Sequence, residues 1–188
     1  MKVNVGVSNR HIHLKREDLD ILFGSDFELE KHKDLTQPGQ FASTSLVTIK
    51  TDKSEIVGVR VLGPLRDYTQ VEISKTDAYK LGINPPVRNS GDLINSERVT
   101  LVGPKGEITI NEGCIIATRH IHLSSEHVKL YNLEGKETVS VRIKGEKGGI
   151  LDNVYLKVLD GSFLELHLDT DDANAHLIKN GDIVDIIG

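Results

Sequence analysis

The sequence predicts a mainly β protein with short helices, a β-rich α+β fold built as two similar β-barrels related by an internal pseudo-twofold duplication. Three observations carry this expectation. The tripeptide His-Ile-His occurs twice, in Ser8-Asn9-Arg10-His11-Ile12-His13-Leu14 and again in Arg119-His120-Ile121-His122-Leu123, 109 positions later. Short runs rich in Val, Ile, Leu and Thr recur at close spacing, separated by polar turns, which suits barrels better than parallel βαβ units. After His122 the chain then repeats its own plan, and a repeat of this kind governs the choice of fold.

Taken in order, residues 2–8 alternate as a strand leading into the first His pair. Residues 15–23 read as a short amphipathic helix closed by Gly24. Pro38-Gly39 signals a turn. Strands are expected at 45–50 and 56–62 around a polar hairpin, with Gly63-Pro64-Leu65-Arg66 turning into a strand at 70–73. A helix over 76–81 ends on Gly82. The loop at 84–92 is dense in turn formers and reads as the link region. Strands resume at 98–102 and 107–110, and a third at 114–117 leads into the second His pair. Beyond it come a helix at 124–130, strands at 138–143, 153–158 and 163–168, and a helix ending at Gly181. The expected domains are residues 10–117 and 118–188.

Composition narrows the function. The 188 residues can bury a substantial core, and a net charge of −5 argues against a general nucleic-acid binder. No apolar run approaches the roughly 20 residues needed to span a bilayer, so no membrane role is expected. The first residues form a strand start with no apolar signal-peptide core. The single cysteine, Cys114, excludes an intrachain disulfide and suits a reducing, cytoplasmic setting. It aligns with Val5 in the repeat and reads as a core thiol.

The His pairs carry the chemistry. Residues i and i+2 share a face only in an extended chain; on a helix they would point about 200° apart. Each His-Ile-His therefore offers two imidazoles to one side and an isoleucine to a core. Aligning Asp77-Ala78 with Asp172-Ala173 sets Glu72 opposite His167. The repeat so yields two ligand sets, His11, His13 and Glu72, then His120, His122 and His167. Three protein ligands with an open position is the usual arrangement of catalytic zinc, although cobalt or iron also suits such donors. His32, His127 and His176 lack repeat partners and read as solvent-facing. A rival set, with Glu17 and Glu126 completing His-x-His-x₃-Glu, resembles the cupin metal motif; its glycine framework is absent and the intervening residues look helical. Two divalent ions against one glutamate leave roughly +3, which favours a small dense anion such as phosphate. Arg66 adds a guanidinium suited to phosphate, the alternative being a plain surface arginine.

The paired Arg-His-Ile-His-Leu segments, Gly63-Pro64-Leu65-Arg66 with Glu72, the Arg88-Asn89-Ser90-Gly91 loop and His167 together resemble the PduL-type phosphate propanoyltransferase (phosphotransacylase) family over nearly the whole chain. The resemblance implies paired β-barrels with a dinuclear zinc site and the reaction acyl-CoA + phosphate ⇌ acyl phosphate + CoA, with a short acyl group. It implies one zinc on His11, His13 and Glu72 and another on His120, His122 and His167. It makes Arg66 the phosphate-binding catalytic arginine and Ser90 and Gly91 a functional loop. Coenzyme A would meet Ser8, Lys33, Arg60, Leu62 and Asn174. Family members also complete the second barrel with the N-terminal strand, here residues 1–9. Compartment-targeted members carry an amphipathic N-terminal extension that is not seen ahead of the first strand here, which weakens the expectation of bacterial microcompartment association; a homo-oligomer is compatible with the resemblance. The competing readings are a dinuclear metallohydrolase of phosphate esters or thioesters, and a non-catalytic, zinc-stabilised binding module.

Overall fold

A computed structural model of the chain describes residues 1–187. Its strands are β1 (Lys2–Ser8), β2 (His11–His13), β3 (Lys31–Asp34), β4 (Phe41–Lys50), β5 (Glu55–Gly63), β6 (Gln70–Glu72) and β7 (Val87–Arg88). They continue with β8 (Glu97–Val102), β9 (Glu107–Ala117), β10 (His120–Leu123), β11 (Thr138–Ile143), β12 (Gly149–Val158), β13 (Glu165–Asp169) and β14 (Ile183–Ile187). Four short helices intervene: α1 (Arg16–Phe23), α2 (Lys75–Leu81), α3 (Ser125–Leu130) and α4 (Thr170–Ala175). The protein is mostly β, with two closed six-stranded barrels.

The chain divides into two compact units, one of residues 10–117 and one joining residues 1–9 to the chain from Thr118 onward. In the first unit the barrel runs β4-β5-β2-β6-β9-β8 and closes where β8 pairs with β4; β3 and β7 flank it on β4 and β9. In the second it runs β1-β13-β10-β12-β11-β14 and closes through β14 and β1. The two have the same wiring. Each His-Ile-His strand lies between a parallel neighbour (β5 or β12) and an antiparallel one (β6 or β13). The strand that precedes each His pair in sequence, β1 or β9, pairs in parallel with the other half's β13 or β6. The duplicated halves have thus exchanged their first strands.

Alternation along these strands builds a core for each barrel. Ile12, Val61, Val71 and Cys114 are buried in the first, and Ile121, Val154, Leu166 and Val5 in the second. Burying one such aliphatic side chain stabilises the fold by about 1.5–3 kcal/mol. Neighbouring positions on the same strands, including the four motif histidines and His167, must then face away from the core. The helices that follow are pinned by matched ion pairs. Arg10, just ahead of β2, meets Asp77 at 2.8 Å, and Arg119, just ahead of β10, meets Asp172 at 2.7 Å. Asp77 also forms a reciprocal capping box with Ser74, while the Asp169 side chain accepts from the Asp172 N–H. Each N-terminal helix turn is therefore tied to the start of a His strand.

Several elements differ from the sequence expectation. Strands β3, β7 and β14 form where none was assigned, since Lys31–Asp34 is wholly polar and Val87–Arg88 is only two residues long. Strand β9 runs unbroken through the polar Asn111-Glu112, because a register shift against β8 between Glu97 and Val99 absorbs the irregularity. The loop at 84–92 is no link: it lies inside the first unit, and the chain changes units at residues 9–10 and 117–118. No helix among the described residues is long and apolar enough to cross a membrane.

Two outcomes are expected from this packing. Asp77→Ala loses a cap and a charge-assisted bond together, which should cost roughly 2–3 kcal/mol in urea unfolding. Burial pushes the Cys114 thiol up, so almost no thiolate exists at pH 8. Ellman's reagent should therefore label Cys114 only after denaturation.

Candidate metal and anion site

Strand register assembles the first ligand set. His11 lies directly opposite Glu72 across the β2–β6 ladder, and His13 lies opposite Gln70. The Nε2 of His11 is 3.3 Å from Glu72 Oε2, and one ligand atom each from His11, His13 and Glu72 falls within 4.8 Å of the others. The second barrel repeats the arrangement on β10 and β13, with His120 opposite His167 and His122 opposite Glu165. His120, His122 and His167 also gather their ligand atoms within 4.8 Å, their ring centroids 4.7–5.0 Å apart.

These rings suit a metal. The carbonyl of Thr118 can only accept, so its 2.8 Å contact with His120 Nδ1 puts the ring proton there and leaves a lone pair on Nε2. Burial holds the pKa of His120 well below the usual imidazole range, helped by Lys157 and His167. His122 is lowered to about 4, by burial first and then by His167 and Lys157. Both are neutral at neutral pH, the form that binds cations, and two imidazoles with a carboxylate or a third imidazole match zinc.

Beside the first set lies a polar relay that sequence reasoning missed. Gln70 is fully buried, and the Gly91 N–H donates to its Oε1 at 2.7 Å. That bond orients the amide so that Nε2 faces Glu72 Oε1 at 2.6 Å and Ser90 Oγ at 2.8 Å. Arg66 donates from Nη1 to the same Ser90 Oγ at 3.0 Å and to Tyr68 Oη at 3.2 Å. The Ser90 oxygen thus accepts twice, which leaves its own proton to donate. Gly91 sits at φ +95°, a conformation that favours glycine. Gln70 was read only as a strand start; its place two residues before Glu72, on the same strand face, was the available signal.

The remaining candidates are more dispersed. Arg60 and Leu62 on β5 pair with His11 and His13, and the Arg60 guanidinium donates to the Ser43 carbonyl. Lys33 is exposed on β3. In the other unit, Ser8 ends β1 opposite Asp169, and Asn174 is exposed on α4. Glu17 and Glu126 belong to neither ligand set. His32 is exposed, whereas His127 and His176 are half-buried and make local bonds, His127 to Ser124 and His176 to the Lys147 carbonyl.

Comparison with known proteins points in one direction. A family model described as phosphate propanoyltransferase matches residues 4–179. The chain is 48% identical over 184 residues to the phosphate propanoyltransferase of Thermotoga maritima, covering 97% of this chain and 88% of that one. It is 51% identical over 180 residues to that of Priestia megaterium, covering 96% and 83%. The match to that of Rhodopseudomonas palustris is 46% over 185 residues, covering 98% and 82%.

Gln70→Ala should leave both barrels folded while the Gly91 amide, deprived of its acceptor, exchanges faster in hydrogen-exchange NMR. In the metal-free protein, the lowered His120 and His122 favour protonation of the unfolded chain first. Their contribution to stability is complete above pH 6.5 and is lost as pH falls toward about 4. The urea midpoint of metal-free protein should therefore drop between pH 7 and pH 5.

Proposed function

Because this chain belongs to the phosphate propanoyltransferase family, we propose that it moves a short acyl group, propanoyl or acetyl, reversibly between coenzyme A and inorganic phosphate, using two zinc ions. It is an acyltransferase. In this reading His11, His13 and Glu72 hold one ion, and His120, His122 and His167 hold the other. The observation that carries it is the bonded chain from Arg66 through Ser90 and Gln70 to Glu72, which ties an anion-binding cation to a metal ligand.

The residues divide the work as follows. The Arg66 guanidinium grips phosphate through two parallel N–H bonds, and Tyr68 and Ser90 keep that fork in place. The Ser90 hydroxyl, already an acceptor twice over, donates its proton to a phosphate oxygen. Coenzyme A is held by Ser8, Lys33, Arg60, Leu62 and Asn174. A phosphate oxygen attacks the thioester carbonyl carbon; the new C–O bond forms as the C–S bond breaks, and the sulfur departs with coenzyme A. Zinc held by the two ligand sets supplies Lewis-acid stabilisation of the negative charge that develops. In this reading transfer is direct, without an acyl-enzyme; the one thiol, Cys114, is buried, and burial pushes its pKa up.

Two measurements test this. Propanoyl-CoA should release free thiol only when phosphate is present, and chelation should abolish the release; phosphate-independent release would instead mark a hydrolase. Arg66→Ala should keep both metal ions yet lose at least ~10²-fold in turnover, the usual size for removing one transition-state charge partner. Near-normal turnover in that variant would take Arg66 out of the mechanism.

A further inference from the structure

The two ligand sets are built from equivalent strands, yet their carboxylates stand at different places. Opposite its His strand, β6 sets Gln70 and Glu72, whereas β13 sets Glu165 and His167. Gln70 and Glu165 hold the same register, opposite His13 and His122 respectively. Across from each His pair there is therefore one acid, but the second barrel carries it two residues earlier, outside the group of three imidazoles; Asp169, further along β13, pairs with Ser8 and caps α4.

Glu165 is not a spectator on that face. It is buried, and its Oε2 lies 2.6 Å from His167 Nε2. The neighbouring strand makes room for it. Gly6 of β1 pairs with His167, and a Cβ at Gly6 would meet the Glu165 carboxyl carbon at 3.0 Å and both its oxygens at 3.2 Å. A carboxylate that shares a bond with a ligand ring must sit close to any cation that ring holds, and such partners commonly contribute 10–100-fold to metal affinity.

We propose that Glu165 is a fourth member of the second barrel's metal site, a positioning and charge-balancing carboxylate that gives three neutral imidazoles the negative charge Glu72 gives the first site, with Gly6 keeping its slot open. This rests on the reading of His120, His122 and His167 as metal ligands. The charge balance accounts for a buried acid being kept on this strand beside ligands that are otherwise uncharged.

The test is zinc titration against a chromophoric chelator, using full-length protein. In a His13→Ala background, which empties the first site, one ion per chain should remain. Adding Glu165→Gln should weaken that ion roughly 10–100-fold, and Gly6→Ala should weaken it in the same direction by crowding the carboxylate. In a His122→Ala background, Glu165→Gln should leave the surviving ion's affinity unchanged. Cobalt in the second site should also change its visible spectrum on Glu165→Gln, a signature that general loosening of the fold would not produce selectively. Wild-type affinity and spectrum in both Glu165→Gln and Gly6→Ala would overturn the proposal. Failure of the parent His13→Ala protein to bind any ion would instead overturn the ligand reading on which it rests. If Glu165→Gln fails to fold, as circular dichroism would show, Gly6→Ala alone decides the outcome.

Discussion

The fixed register between each His strand and its antiparallel neighbour is the constraint on which the rest depends. His11 opposite Glu72 and His120 opposite His167 are set by backbone pairing, and a slip of one residue would turn every side chain to the wrong face. The isoleucine between the histidines makes that slip expensive. Ile12 and Ile121 are fully buried among aliphatic neighbours, so moving either into the ligand position would expose it and bury imidazoles in its place. Hydrophobic packing inside the barrel thereby holds polar geometry outside it. The matched pairs Arg10–Asp77 and Arg119–Asp172 fasten the entry to each strand.

Much of this was written in the sequence because it is local or repeated. The two His-Ile-His tripeptides declare extended chain by spacing alone, and the second copy turns a weak motif into a pair. Glu72 and His167 were found by aligning Asp77 with Asp172, and those aspartates do hold equivalent places, each three residues beyond the N-cap of its helix. What escaped is what pairing decides. Lys31–Asp34 becomes a strand through the edge that β4 offers it, not through any preference of its own. The loop at 84–92 looked like a connector because its composition favours turns; its position is set by Gln70, which bonds Ser90 and Gly91 from a distant strand. A buried glutamine reads in sequence as any other polar residue.

The two barrels show how a duplicated framework can diverge without changing shape. Position 70 holds an amide and position 165 an acid, while 72 and 167 hold an acid and an imidazole. The amide is the more versatile group, since it donates to Glu72 and Ser90 while accepting from Gly91. That versatility lets the first barrel hold Arg66 and the Ser90 loop. The carboxylate of Glu165 can only accept, and it meets His167 Nε2 at 2.6 Å instead.

The exchange of first strands has a consequence for how the chain is made. Residues 2–8 leave the ribosome before anything else in the structure, yet their partners, β13 and β14, are among the last to appear. The unit of residues 10–117 can close as soon as β9 is synthesised, whereas the opening segment must wait through the whole of that event without a ladder to join. Translation thus separates the ordering of the two ligand sets in time, and cutting the gene at its repeat boundary would leave each fragment with the strand that the other one needs.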